Sequence, residues 1–275
     1  MRRSPCLDWR RARATVATVA VALAALPAQA HDTWLAWRSG APLGQVWLAL
    51  GTGEAYPKHS SPIERADLHT AACRSAEGRP WPLHAQRMQG AALWLQARLP
   101  ADTPPDQDLS CWAETRPRTL TLSAAEVQAY LQEIRAPAEL QARWAADARA
   151  GATWTEQYSK HARIERQGGP EGAPRQPAGM ALVILIEGAS PAVGQELVVR
   201  VLRDGIGLPG QALQLLGEQA ARGVWLQTDA QGRARVSLPL AGSWMLRGTD
   251  LHPPDRTGAP WRSRFVTLVF EVPGP

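Results

Sequence analysis

The sequence predicts a mainly β protein: two β-sandwich domains, the second immunoglobulin-like or transthyretin-like, with a short helical insert between them. Three observations predict it. Apolar residues come in short runs or alternate with polar ones; Pro, Gly and Ser clusters separate these runs; and no long helical crossover lies between them, as a parallel sheet would need.

Residues 1–30 read as a secretory leader. Arg2, Arg3, Arg10, Arg11 and Arg13 precede an apolar run from Ala14 to Leu26 and the small-residue site Ala28-Gln29-Ala30. The run is shorter than the roughly 20 apolar residues of a spanning helix, and no later segment approaches that length. A periplasmic protein without a transmembrane helix in its mature chain is expected. Cleavage after Ala30 would make His31 the first residue and free its α-amine. Amine and imidazole on one residue are both nitrogen ligands near pH 7, so His31 alone could chelate a transition metal.

The overall excess of 30 Lys plus Arg over 25 Asp plus Glu comes from the leader, which holds five Arg and one Asp. The remaining 25 against 24 excludes an electrostatic case for nucleic acid or an anionic membrane. Cys73 and Cys111 survive cleavage and read as a disulfide in an oxidising compartment, in preference to a two-thiolate metal site. Twelve tryptophans against three tyrosines and two phenylalanines favour cores filled with Trp over a carbohydrate-stacking surface. Trp34, Trp37, Trp47, Trp94, Trp225 and Trp244 all lie in apolar or alternating runs, as core residues would.

In the first sandwich, residues 31–122, strands are expected at Gln45 to Gly51, Ala91 to Leu99 and Leu109 to Glu114. The loop from Gly51 to His59 carries Glu54 and His59, both possible ligands. Ser123-Ala-Ala-Glu126 is a capping box, followed by Val127, Tyr130, Leu131 and Ile134 at helical spacing. Pro137 opens a second helix with Leu140, Trp144 and Ala148 in one stripe, ended by Gly151. Thr153 to about Arg166 reads as a third, with Trp154, Tyr158 and His161 on a common face. The insert is therefore expected over 123–166, packed on the first sandwich, and the Pro- and Gly-rich stretch 167–179 reads as a linker.

From 180 to 275, seven short strands are expected: Ala181 to Ile186, Glu196 to Leu202, Ala212 to Leu216, Val224 to Thr228, Arg233 to Leu238, Ser243 to Arg247 and Phe265 to Val272. Arg203-Asp204-Gly205 and Asp229-Ala-Gln-Gly232 supply turn residues between them.

The order of pieces is more specific than any one of them. Ala-His31-Asp-Thr-Trp-Leu is followed by the capped helix with Tyr130-Leu131, Glu156-Gln-Tyr158-Ser-Lys160, Val199-Arg-Val-Leu202-Arg-Asp204-Gly205, Gly242-Ser-Trp244-Met-Leu-Arg and Trp261-Arg-Ser263. Over nearly all of residues 31–275 this resembles a domain-of-unknown-function family of exported bacterial proteins, grouped with periplasmic components of nickel and cobalt uptake systems. The resemblance implies a non-enzymatic protein that binds a divalent transition metal, nickel, cobalt or copper, with a membrane transporter component or another envelope protein as partner. It places ligands at His31 and in Arg247-Gly-Thr-Asp250-Leu-His252, where related members often carry His at the position of Asp250. The expected metal set is thus His31, Asp250 or His252, and His161.

None of the six histidines stands in a His-x-x-x-His spacing, so any site must be assembled by folding. Two other functions compete with metal handling. One is a copper monooxygenase built on an amino-terminal histidine brace, which needs a second histidine beside His31. The other is an envelope protein-protein interaction module without metal function. Hydrolase and nucleotide-binding signatures are lacking: Gly51-Thr-Gly53 and Gly205-Ile-Gly207 are too short to cradle phosphates.

Overall fold

Two long strands from opposite halves of the chain, Trp154–Arg166 and Trp261–Val272, pair in parallel from Glu156 with Trp261 to Ile164 with Val269. In this computed structural model, residues 31–75, 79–100, 103, 108–166, 180–220, 222–256 and 258–274 are described. The expected leader and the expected linker at 167–179 lie outside them. In chain order the strands before the helices are β1 (Asp32–Trp37), β2 (Gln45–Gly53), β3 (Ser61–Pro62), β4 (Leu68–Arg74), β5 (Trp81–Pro82), β6 (His84–Gln89), β7 (Ala92–Arg98), β8 (Leu109–Thr115) and β9 (Arg118–Leu122). Helices α1 (Ala124–Glu133) and α2 (Ala138–Arg149) follow, then β10 (Trp154–Arg166). The last section holds β11 (Leu182–Glu187), β12 (Glu196–Arg203), β13 (Ile206–Gly207), β14 (Ala212–Gly217), β15 (Val224–Gln227), β16 (Arg233–Ser237), β17 (Gly242–His252) and β18 (Trp261–Val272).

The fold is mainly β and sandwich-like, as the sequence predicts, with one central sheet shared by both halves. That sheet has nine strands in the order β15-β14-β17-β18-β10-β8-β4-β5, with β9 also on β10. A five-stranded sheet, β1-β2-β7-β6 with β3 on β2, covers one face of its first half. A four-stranded sheet of β11, β12, β13 and β16 covers the opposite face of its second half. One core lies under the five-stranded sheet, where Leu35, Leu48, Leu50, Leu93 and Leu95 meet Ile164 and Val269. The other lies under the four-stranded sheet, where Ile184, Val199 and Val201 meet Leu246, Leu268 and Phe270. Each such side chain taken fully out of water contributes about 1.5–3 kcal/mol before entropy is counted.

Two of the three expected helices form. Ser123 Oγ accepts from the Glu126 amide at 3.3 Å, and Glu126 Oε2 accepts from the Ser123 amide at 2.7 Å. Val127, Tyr130, Leu131 and Trp144 are buried against Trp154, Trp261 and Phe265, with the Trp154 and Trp261 rings stacked 4.3 Å apart. Pro137 sits just before α2 rather than inside it.

The third helix is a correction: residues 154–166 are strand β10. Its two faces are both covered, so Ala162 and Ile164 are buried on one side and His161, Arg163 and Glu165 on the other. Buried charged residues break the two-residue alternation and imitate the polar stripe of a helix. The tryptophans need a second correction. Trp34 and Trp244 are buried, but Trp37, Trp47, Trp94 and Trp225 are only half-buried.

Candidate functional site

The chain around His31 is pinned at three successive residues. Lys160 on β10 donates from Nζ to the His31 carbonyl at 2.8 Å. Arg247 on β17 donates to the buried carboxylate of Asp32, and its Nε donates to Gln214 Oε1 at 2.8 Å. Thr267 on β18 donates from Oγ1 to the Thr33 carbonyl at 2.7 Å, while Thr33 and Thr52 join hydroxyls at 2.8 Å. From Asp32 onward β1 pairs antiparallel with β2. His31 therefore stands at a fixed point, with its side chain 41% exposed.

The His31 ring donates from Nε2 to Glu54 Oε1 at 2.9 Å. Glu54 arrives there because the β2–β3 loop folds back over the end of β2, which two glycines permit. A Cβ on Gly51 would lie 2.6 Å from the Ala91 carbonyl oxygen and from the His59 ring; one on Gly53 would lie 2.4 Å from the Lys58 carbonyl oxygen. His59, the other candidate in this loop, is a packing residue. Its ring lies 4.7 Å from that of Trp34, Nε2 donates to the Trp34 carbonyl at 3.2 Å, and burial pushes its pKa down. Beside His31 opens a pocket lined by Thr52, Glu64, Asp67, Arg118 and Lys160. Burial pushes the Lys160 ammonium down to about 8 despite the nearby Asp32 carboxylate, and it pushes the Asp32 carboxyl up against the pull of Arg247.

The other expected ligands do not join His31. Neighbouring side chains on a strand point to opposite faces of the sheet. Lys160 reaches His31, so His161 points the other way, like Arg163, which donates to the Ile184 carbonyl of β11. His161 is buried, with Nε2 3.0 Å from Ser159 Oγ and Nδ1 3.4 Å from Glu114 Oε2. On β17 the same rule separates Arg247, which meets Asp32, from Asp250 and His252. These two turn to Arg203 of β12: its Nη1 is 3.2 Å from Asp250 Oδ1 and 2.9 Å from His252 Nε2, and His252 Nε2 is 3.0 Å from Asp250 Oδ2. A guanidinium thus fills the place a metal cation would need. Among the described residues, no group of three or more His, Cys, Asp or Glu side chains is placed to hold a metal ion.

Sequence reasoning named Glu54 as a possible ligand but missed Asp32, Lys160 and Arg247 as the groups that fix His31. Asp32 stands beside His31 in the chain, whereas Lys160 and Arg247 carry no local signal. Cys73 and Cys111 face each other across β4 and β8 and form a disulfide, with Cα atoms 4.0 Å apart, which removes the two-thiolate alternative. Among the described residues, no helix is long and apolar enough to cross a membrane.

No protein-family model matches the chain, and no curated protein matches it.

Proposed function

We propose that the chain is an exported periplasmic protein that binds a divalent transition metal ion, nickel, cobalt or copper, at its mature amino terminus and passes it to an envelope uptake component. The observation that carries this reading is the 2.9 Å bond from His31 Nε2 to Glu54. Once Ala30 is removed, the α-amine and Nδ1 of His31 can close a six-membered chelate ring through Cα, Cβ and Cγ. That ring needs Nδ1 unprotonated, and Glu54 favours this tautomer by accepting a hydrogen bond from the N–H of Nε2. A carboxylate behind a ligating histidine also raises its basicity and fixes its orientation. The pins at Lys160, Arg247 and Thr267 hold the residue that would chelate.

Two nitrogens from one residue make an open, exchangeable site, which suits a protein that hands its cargo on. Intrinsic affinity for nitrogen ligands favours Cu²⁺ over Ni²⁺ and Co²⁺. The histidine-brace monooxygenase needs a second imidazole, whereas the partner of the His31 ring is the Glu54 carboxylate.

The test is titration of protein beginning at His31 with Cu²⁺, Ni²⁺ and Co²⁺. Micromolar or tighter binding is expected, lost in His31→Ala and in a form with one extra residue ahead of His31. Glu54→Gln is expected to weaken it about 10–100-fold. Undiminished affinity in the extended form would overturn the reading.

A further inference from the structure

The outer face of the five-stranded sheet carries aromatic, amide and guanidinium groups but no carboxylate. On β2 and β7, Val46, Leu48, Leu50, Leu93, Leu95 and Ala97 turn inward to the core, so Gln45, Trp47, Trp94 and Gln96 turn outward. These four are half-buried on an otherwise open surface. Arg38, Arg87 and Arg98 are exposed, and none of them forms an ion pair among the described residues. The sequence has no Asp or Glu in residues 33–53 or 79–100, which contribute all of β2 and β7, all of β6 and nearly all of β1. Residues 31–275 are balanced in charge, yet among the described residues this sheet face presents arginines with no carboxylate paired to them.

The arginines on this face are also ordered. The guanidinium carbons of Arg38 and Arg87 each lie 4.9 Å from the centre of the Trp94 ring. Trp47 meets Trp94 edge-on, with centroids 5.8 Å apart. Stacking on an aromatic face restrains a guanidinium while leaving N–H groups open to a carboxylate; in Arg87, Nε donates to Gln89 Oε1 at 3.0 Å, which restrains it further and leaves its two Nη groups for the ligand. Restraint before binding lowers the entropy lost on binding. Beside the arginines lie two amides tied together: Gln96 Nε2 donates to Gln45 Oε1 at 2.6 Å, and Trp47 Nε1 donates to the same oxygen at 3.2 Å. The Gln45 amide nitrogen and the Gln96 amide oxygen keep no protein partner among the described residues.

We propose that this face binds an acidic polysaccharide, with Arg38 and Arg87 taking carboxylates of uronate-type sugars and Gln45 and Gln96 taking hydroxyls beside them. Uncompensated charge selects a polyanion. The paired amides beside the arginines can take hydroxyls, which a uronate polymer sets beside every carboxylate along its length and the side chains of an acidic peptide such as poly-glutamate lack. An open sheet face suits an extended polymer more than a compact ligand.

The experiment is affinity electrophoresis and calorimetry of the whole protein with polygalacturonate, neutral dextran, poly-glutamate and phosphatidylglycerol vesicles. Polygalacturonate is expected to bind, more weakly as salt rises, and dextran not to. Arg38→Gln with Arg87→Gln, both on exposed side chains, should weaken binding at least about tenfold. Gln45→Ala with Gln96→Ala should weaken polygalacturonate binding and leave any poly-glutamate binding unchanged. Far-UV circular dichroism checks that each variant is folded. Lack of polygalacturonate binding, equal or tighter binding of poly-glutamate, binding to vesicles alone, or indifference to the arginine changes would each overturn the proposal. Since none of these residues touches His31, metal binding is expected to survive in every variant.

Discussion

Lys160 and His31 stand 129 residues apart in sequence, yet the lysine ammonium donates a 2.8 Å hydrogen bond to the histidine carbonyl. The bond is made by a lysine largely removed from water, and this gives it a pH signature. Desolvation lowers the Lys160 pKa from 10.5 to about 8, with Asp32 opposing the shift and Arg118 adding to it. A base whose folded pKa lies below its unfolded one makes protonation costly to the native state. That cost is fully present below about pH 8 and fades as pH rises to 10.5. Wild-type protein should therefore gain stability relative to Lys160→Met between those two values, as thermal melts at stepped pH would show. A constant difference across the range would mean that Lys160 titrates normally.

Arg247 and Asp32 make the second pin, and here the larger effect is charge compensation. Asp32 is only 7% exposed, so its carboxylate depends on the guanidinium. Arg247→Met should cost about 3–5 kcal/mol, because it leaves a buried charge without its partner. Asp32→Asn added to Arg247→Met should restore much of that loss, since an amide needs no counter-charge. The recovery stays partial, as Arg247 also bonds Gln214 and lies 3.7 Å from Glu133. Chemical denaturation of the two single variants and the double variant reads the coupling directly. Simple additivity would show that the pair is not energetically linked.

These two pins also explain what the sequence could not reveal. Strands β2, β7, β8, β11, β12 and β14 to β18 are legible because each is an apolar or alternating run with turn residues at its ends. The Asp204-Gly205 turn is legible for the same kind of reason: both residues have positive φ, which Asp and Gly accept at low cost. Strand β6, His-Ala-Gln-Arg-Met-Gln, has almost no buried side chain and exists by pairing with β7, so it leaves no hydrophobic pattern. β10 is hidden by its buried charges. At the site, Glu54 could be suspected as a polar residue in a Gly-rich loop. That His31 would be separated from His161, Asp250 and His252 depends on which face of the central sheet each side chain takes. That parity follows only from the register of β10 against β18 and of β17 against β18.

The disulfide joins β4 to β8 on one flank of the central sheet, with both cysteines fully buried and 38 residues apart in sequence. Replacing both by alanine should cost about 2–4 kcal/mol, mainly by releasing a constraint on the unfolded chain. Oxidised and reduced wild-type protein compared in urea should differ by a similar amount. Chelators should not change the stability of the oxidised protein through the cysteines, since the disulfide leaves no thiolate to hold a metal.

Glu156 is the remaining charged group set against the fold's interest, and it joins the helical insert to the central sheet. It is 2% exposed and accepts from Tyr130 Oη at 3.1 Å, from Trp154 Nε1 at 2.9 Å and from the Ser263 hydroxyl. Three donors favour the ionised form, but desolvation outweighs them and raises the pKa above 4.5. For a carboxyl with a raised folded pKa, the stabilising contribution is complete below the unfolded value and is lost as pH climbs through the folded one. Wild-type stability should fall with rising pH from about 4.5 upward for this reason. Glu156→Gln has no proton to lose; its amide oxygen would take the Trp154 N–H and turn the N–H₂ to the Tyr130 and Ser263 hydroxyls, which then lose the acceptor they donate to, so it should be less stable than wild type in acid by about 1–3 kcal/mol. The gap should narrow as pH rises and Glu156 ionises at a cost. Melts of both proteins from pH 4 to 8 decide the matter, and a gap independent of pH would show that Glu156 is already ionised throughout, held so by its three donors.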